Sequence, residues 1–119
     1  MDKVNLTEKL KLFTDHWHPR IVGELNGQYV KLAKVKGEFD WHLHANEDEL
    51  FFVVSGRLII KLRDRDLALE EGEFFIVPKG VEHKPVAEQE AHVLLFEPKS
   101  TLNTGEERTD RTVEELPWI

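Results

Sequence analysis

The amino-acid sequence predicts an all-β fold, because short runs rich in valine, isoleucine, leucine and phenylalanine follow one another along most of the chain. Glycine, proline and aspartate separate these runs at close spacing. In residues 57–63, Leu58, Ile60 and Leu62 alternate with positions that carry Arg57, Lys61 and Arg63, the period of two that is typical of a half-buried strand. Many short strands separated by turns indicate a β-sandwich or a β-barrel.

The N-terminal end departs from this pattern. Leu6, Leu10 and Phe13 have helical spacing, and Asn5 with Glu8 three residues later resembles a capping pair. We therefore expect a short helix over residues 5–13.

A hairpin is predicted next, from residues 21–25 and 29–35 on either side of Asn26 and Gly27. Asn-Gly is the pair that best fits a two-residue hairpin turn. Further strands are predicted at residues 39–44, 50–54, 58–62, 74–77 and 91–96.

Residues 50–54 are apolar without alternation, so both faces of this strand should be covered. One face would line the barrel interior. The other would contact either a second subunit or the N-terminal helix or terminal arm of the same chain, and the sequence does not decide between them.

Length and composition indicate one domain over residues 1–119, with a polar arm over residues 98–119. The net charge is −7 and the basic residues are scattered, which argues against nucleic acid as a partner. The chain has neither a long apolar stretch nor a signal-peptide core, so we expect no membrane partner and a cytoplasmic location.

The chain has no cysteine, so any metal site must use histidine, carboxylate or water. Four candidate metal ligands are His42, His44, Glu49 and His83. On a strand, His42 and His44 would point to the same side with Cα atoms roughly 6.5 Å apart, which suits chelation of one ion. A turn in the polar residues 45–48 would bring Glu49 to the inner face, and the turn at residues 78–80 would aim His83.

Three imidazoles and one carboxylate suit one divalent ion, and iron, manganese, nickel, cobalt, zinc and copper all accept this donor set. If that ion is six-coordinate, two positions remain open, as in catalytic rather than structural sites.

These residues resemble the two motifs of the cupin superfamily. The first motif covers residues 37–56 and contains Gly37, His42, His44, Glu49 and Gly56; the second covers residues 72–87 and contains Gly72, Pro78, Gly80 and His83. The first motif has one residue fewer than usual between Gly37 and His42, and Ala87 stands where the second often has asparagine. The second departure removes a hydrogen bond that an asparagine would make behind the site.

The resemblance implies a double-stranded β-helix, a jelly-roll barrel with the metal in its mouth, here with a short N-terminal helix and an extended C-terminal arm. It also implies a homodimer. The whole chain is similar to small stand-alone bacterial cupins described as sugar-phosphate-isomerase-like. Because this superfamily supports many reactions, the fold does not select one.

The expected function is that of a metalloenzyme acting on a small oxygen-rich molecule, a sugar derivative or a small carboxylate, as an isomerase, epimerase or dioxygenase. The alternative is a non-catalytic module that binds a small ligand. No catalytic residue is predicted beyond the ligands.

Four other positions have two readings each. Asp40 is either a general base near the metal or, as we favour, an exposed residue. His92 is more consistent with a surface or core histidine than with a cavity residue. Trp17, between His16 and His18, is interpreted as a packing residue, and Phe51 as core or pocket wall.

Overall fold

The computed structural model describes residues 2–119, and it confirms the all-β prediction. Within those residues there is one helix and there are seven strands: α1 (Leu6–Leu10), β1 (Arg20–Leu25), β2 (Gln28–Glu38), β3 (Glu49–Ser55), β4 (Leu58–Leu62), β5 (Asp66–Leu69), β6 (Phe74–Val77) and β7 (His83–Pro98). No helix in this part of the chain is long and apolar enough to cross a lipid bilayer.

The long strand β7 organises the sheet. All strand pairs are antiparallel, and the order is β1-β2-β7-β3-β6, with β4 pairing with both β7 and β5. One edge of β7 pairs with β2, while its other edge pairs with β4 near its start and with β3 near its end. This sharing agrees with the predicted jelly roll.

The predicted helix and hairpin are both confirmed. The Asn5 side chain accepts a hydrogen bond from the Glu8 amide at 3.0 Å, and the helix ends at Leu10, earlier than the predicted residue 13. Asn26 and Gly27 have φ values of 50° and 80°, and Leu25 pairs with Gln28 across the turn. Positive φ at both central residues is what a type I′ hairpin turn requires.

Two hydrophobic clusters lie on opposite faces of the sheet. The inner cluster fills the barrel and consists of Ala33, Val35, Phe51, Val53, Leu58, Ile60, Leu69, Val77, Ala87, Ala91, Val93 and Leu95. The outer cluster consists of Leu10, Phe13, Val22 and Leu32, with Val54, Leu94 and Ile119 packed against it among others. Its members include residues of α1 and the last residue of the chain.

The outer cluster answers part of the question left open for β3. Val54, on the outer face of this strand, packs against the cluster to which α1 contributes Leu10. The same chain therefore covers that end of the strand. Leu50 and Phe52, further along the same outer face, are only half-buried.

Two predicted strands differ from the structure, and β5 was not predicted. Residues 39–44 are not a regular strand, because they make only an isolated bridge between His42 and His83. Phe39 donates its amide to the Pro85 carbonyl at 3.0 Å, but Pro85 has no amide hydrogen to return, so the ladder is interrupted. Strand β7 begins at His83 rather than at residue 91, and it continues through exposed polar residues 88–90.

The C-terminal arm, residues 99–119, contains no helix or named strand and packs across the barrel. Gly105 lies so close to the Leu43 carbonyl that any side chain there would collide with it, and its φ is 71°. The arm then returns along β1, where Ile21 donates its amide to Pro117 at 2.9 Å and accepts from the Ile119 amide at 3.0 Å. The arm therefore contacts the segment that carries His42 and His44.

Candidate metal centre

The structure brings the four candidate ligands together. One potential ligand atom from each of His42, His44, Glu49 and His83 lies within 4.8 Å of the others. Glu49 is the first residue of β3 and His83 is the first of β7, while both other histidines lie in the connection between β2 and β3. The predicted change of phase before Glu49 is confirmed, since Glu49, Phe51 and Val53 are all buried on the inner face.

Backbone hydrogen bonds fix the connection that carries His42 and His44. The His42 amide donates to the His83 carbonyl at 3.0 Å, and the His83 amide donates back to His42 at 2.9 Å. The Gly80 amide donates to the His44 carbonyl at 2.7 Å. The turn at residues 78–80 therefore supports His44 directly, in addition to preceding His83.

Two of the imidazoles are oriented by main-chain carbonyls. His42 Nδ1 lies 2.8 Å from the Asp40 carbonyl, and His83 Nδ1 lies 3.0 Å from the Val81 carbonyl. A carbonyl only accepts, so each Nδ1 carries the hydrogen and each Nε2 keeps its lone pair. His83 Nε2 lies 3.3 Å from Glu49 Oε1, which places this lone pair at the centre of the cluster.

The environment of the third imidazole, that of His44, shows whether the cluster suits a metal ion. His44 is 2% exposed, and neither ring nitrogen has a hydrogen-bond partner within residues 2–119. Its Nε2 is 3.2 Å from Glu49 Oε1 but lacks the alignment of a hydrogen bond. A buried polar ring without partners carries a desolvation cost, and coordination of an ion would remove it. The residues present therefore fit a metal ion.

The charge states also suit coordination. Burial and the neighbouring His83 lower the pKa of His42 to about 4, so this ring is neutral at physiological pH. Burial opposes the charged form of Glu49, but its polar neighbours, Glu97 foremost, hold the pKa of this carboxyl well below its usual range. Neutral imidazole and ionised carboxylate are the forms that bind metals.

Comparison with known proteins identifies the family. The family model described as "Cupin domain" matches residues 28–97, which is more than half of the chain. The chain belongs to the cupin family. A solved cupin-2 domain containing protein from Shewanella frigidimarina NCIMB 400 superposes with a TM-score of 0.80 and 47% identity, over 81% of this chain and 94% of that one.

Two further relatives match this cupin over only part of their own length. The uncharacterised protein YdbB of Bacillus subtilis (strain 168) is 41% identical over 53% of this chain and 57% of its own. A 3-hydroxyanthranilate 3,4-dioxygenase of Xenopus laevis is 26% identical over 98% of this chain and 43% of its own. This cupin thus spans about half the length of these relatives.

The barrel of this cupin contains a buried ion pair that the motifs do not include. Lys31 on β2 and Glu97 on β7 lie 2.8 Å apart, and each side chain is 3% exposed. Burial and the charge of Glu49 raise the pKa of Glu97 well above its usual range. The alternation of the strands could have revealed this pair in the sequence. Lys31 is two residues from buried Ala33, and Glu97 is two residues from buried Leu95, so both side chains point into the barrel.

Two cavities of this cupin meet at His42. The inner cavity is about 50 Å³ and lies in the barrel, and the residues lining it include His42, Glu49, Lys31, Glu97 and Phe51. The outer cleft is about 470 Å³ and lies between the His42 segment and the C-terminal arm; its walls include Asp40, Trp41, Glu82, Glu106 and Glu107. The cluster is therefore accessible from two environments of different polarity.

The other candidate residues are also placed. Asp40 is exposed, as favoured, and supports His42 through its main chain only. Phe51 is both core and cavity wall, and its ring meets His83 edge-on with centroids 5.9 Å apart. His92 pairs with Glu90 away from the cluster, and Trp17 packs on Phe39 with centroids 5.0 Å apart.

Proposed function

We propose that His42, His44, Glu49 and His83 hold one divalent metal ion, and that this cupin is a metalloenzyme acting on a small oxygen-rich organic molecule. The observation that carries the proposal is the buried His44 ring without hydrogen-bond partners beside three other convergent ligands. Iron, manganese, nickel, cobalt, zinc and copper all suit this donor set. When bound, such an ion supplies Lewis acidity or, if it is redox-active, oxygen chemistry.

The residues of the chain would prepare the site for that ion. The carbonyls of Asp40 and Val81 hold two imidazoles with Nε2 free, and burial keeps His44, Glu49 and His83 away from bulk water. Among the reactions considered, similarity to a 3-hydroxyanthranilate 3,4-dioxygenase along 98% of the chain supports testing oxygen chemistry first. Isomerase and epimerase chemistry would be tested next.

Metal analysis tests the proposal. Protein purified without chelator and reconstituted with each candidate ion should bind one equivalent, whereas His44→Ala should lose at least nine-tenths of it. His92→Ala is the matched control, because His92 lies outside the cluster, and it should bind as the wild type does. Melting temperatures would show that both variants fold. Full metal content in folded His44→Ala, or none in the wild type, would overturn the proposal.

Incubation of the loaded protein with small hydroxy and carbonyl compounds then separates catalysis from binding. Chemical conversion, with or without consumption of dioxygen, supports the enzyme. Thermal stabilisation by a compound that is recovered unchanged supports the alternative, a ligand-binding module.

We also propose that residues 1–119 form one cupin domain that assembles as a homodimer through β6. Phe74 and Ile76 on this edge strand are 59% and 47% exposed, next to half-buried Leu50 and Phe52 of β3. An exposed apolar edge strand is a typical site of association. Light scattering should show a dimer for the wild type and for Leu12→Lys, and a monomer for Phe74→Lys. A monomeric wild type at high concentration would contradict the dimer.

A further inference from the structure

The ion pair of Lys31 and Glu97 is incompletely satisfied by the protein. The Lys31 ammonium has three hydrogens, and it donates one hydrogen bond within residues 2–119, to Glu97 Oε1 at 2.8 Å. Glu97 Oε2 has no donor in the same part of the chain, and the Glu97 carboxyl shares a hydrogen bond with that of Glu49. Buried charges are costly unless their remaining hydrogen-bonding capacity is used. The Lys31 ammonium therefore keeps two hydrogens for a further polar group beside the Glu97 carboxyl.

The pair lies at the inner cavity that also reaches the metal cluster. Lys31 and Glu97 line this cavity together with His42 and Glu49. The rest of the wall is largely apolar, including Val35, Phe51 and Leu95. At about 50 Å³ the cavity accommodates roughly three or four water molecules, which is enough for the short polar end of a ligand and too little for a sugar ring.

The group that best complements the pair is a hydroxyl. A hydroxyl accepts from the Lys31 ammonium, and it either donates to or accepts from the Glu97 carboxyl, so it suits both protonation states of that residue. A methyl group of the same size would form no hydrogen bond with Lys31 or Glu97. The pair therefore distinguishes a hydroxyl from a methyl.

We propose that Lys31 and Glu97 form an inner subsite for a hydroxyl group of the ligand, whose other oxygen function lies at the metal cluster. This inference rests on the proposed function and narrows its ligand class to short hydroxy acids and hydroxy carbonyl compounds. It makes the two residues determinants of specificity within the cavity.

A purely structural ion pair is the competing explanation, and a double substitution separates the two. Replacing a buried pair by apolar residues of similar volume is often neutral or stabilising, so Lys31→Met with Glu97→Leu should fold and keep its metal. A structural pair would leave ligand preference unchanged in this variant. If the pair is a hydroxyl subsite, the double variant should lose its preference for the hydroxyl ligand.

The experiment compares 3-hydroxypropanoate with butanoate on cobalt-loaded protein, followed through the visible cobalt bands. These probes have equal charge and nearly equal size, and they differ by a hydroxyl in place of a methyl. The wild type should bind 3-hydroxypropanoate about tenfold more tightly than butanoate. The double variant should lose this preference or reverse it.

Equal affinity of the wild type for both probes, or the same preference in the double variant, would overturn the subsite while leaving the metal proposal intact. Failure of the wild type to bind cobalt would overturn the proposed function and the subsite together. If the double variant does not fold, Glu97→Met, which keeps the length of the side chain but removes its hydrogen-bonding oxygens, decides the question. An unchanged preference in that variant would contradict the inference, and a severalfold loss would support it.

Discussion

The two cavities that meet at His42 differ in size, in polarity and in whether their charged groups are paired. The outer cleft is about 470 Å³, and its walls carry four carboxylates, of Asp40, Glu82, Glu106 and Glu107. Within residues 2–119, Glu82 pairs with Arg63 at 3.0 Å, and the other three make no ion pair. The inner cavity is about 50 Å³ and has a largely apolar wall, in which Lys31 and Glu97 neutralise each other.

This difference indicates a division of tasks between access and selection. Charges in the outer cleft are exposed to solvent, so salt screens them and they chiefly affect the approach of charged molecules. Hydrogen bonds in the inner cavity act away from water, where an unmatched polar group is costly. We therefore expect substitutions in the inner cavity to have larger effects than those in the cleft.

Breaking the inner ion pair should have the largest effect. Glu97→Leu leaves the buried Lys31 ammonium without its acceptor, and loss of one partner of a buried pair costs about 3–5 kcal/mol. Urea denaturation of the metal-free protein would measure this cost. The double variant, Lys31→Met with Glu97→Leu, should recover most of the lost free energy of unfolding. Equal destabilisation in both variants would show that the loss comes from packing rather than from an unpaired charge.

Lifting the arm from the cleft should have the next largest effect. Gly105→Ala forces a side chain against the Leu43 carbonyl and strains a residue with φ of 71°, at a cost of about 2–3 kcal/mol. Gly72→Ala is the matched control, because Gly72 has φ of 84° and open space around it. Limited proteolysis should cut the arm faster in Gly105→Ala than in the control. Equal rates would show that the arm does not depend on this contact.

The pH dependence of stability should report on His42, where the cavities meet. The pKa of His42 is lowered to about 4, so between this value and its ordinary 6.5 the unfolded state binds the proton and the folded state does not. Stability contributed by this group therefore falls as the pH is lowered through that window. From pH 7 to pH 5 the loss should be about 2 kcal/mol.

A His42→Gln variant isolates that contribution, because the other titrating groups remain. Urea denaturation of metal-free protein at both pH values should show a smaller loss for this variant than for the wild type. Equal losses would mean that His42 is not the group responsible.

The smallest effect should come from the carboxylates of the cleft. Glu106→Gln with Glu107→Gln should raise the affinity of cobalt-loaded protein for azide about two- to threefold at low ionic strength, and high salt should abolish the gain. Glu88→Gln is the control, because this exposed carboxylate does not line the cleft. A gain that persists in high salt would indicate a structural rather than an electrostatic cause.

The sequence alone predicted a β-sandwich or β-barrel, which its resemblance to the cupin motifs narrowed to a jelly roll. It also predicted the hairpin at Asn26 and Gly27 and the four residues of the candidate metal centre. These depend on local chemistry: which residues tolerate positive φ, which side chains ligate metals, and how a strand alternates its faces. Even where residues 39–44 proved not to be a regular strand, the ligands converged, because backbone hydrogen bonds between His42 and His83 hold the segment in place.

Only the tertiary structure decided which distant residues meet. Lys31 lies beside Glu97 because β2 and β7 pair in one particular register, and Gly105 meets Leu43 because the arm crosses the barrel. Such contacts join positions far apart in the chain, and a shift of register by one residue would turn Lys31 away from the cavity. The sequence therefore determined the ligands of the candidate centre, whereas strand register and the path of the arm determined the two cavities around it.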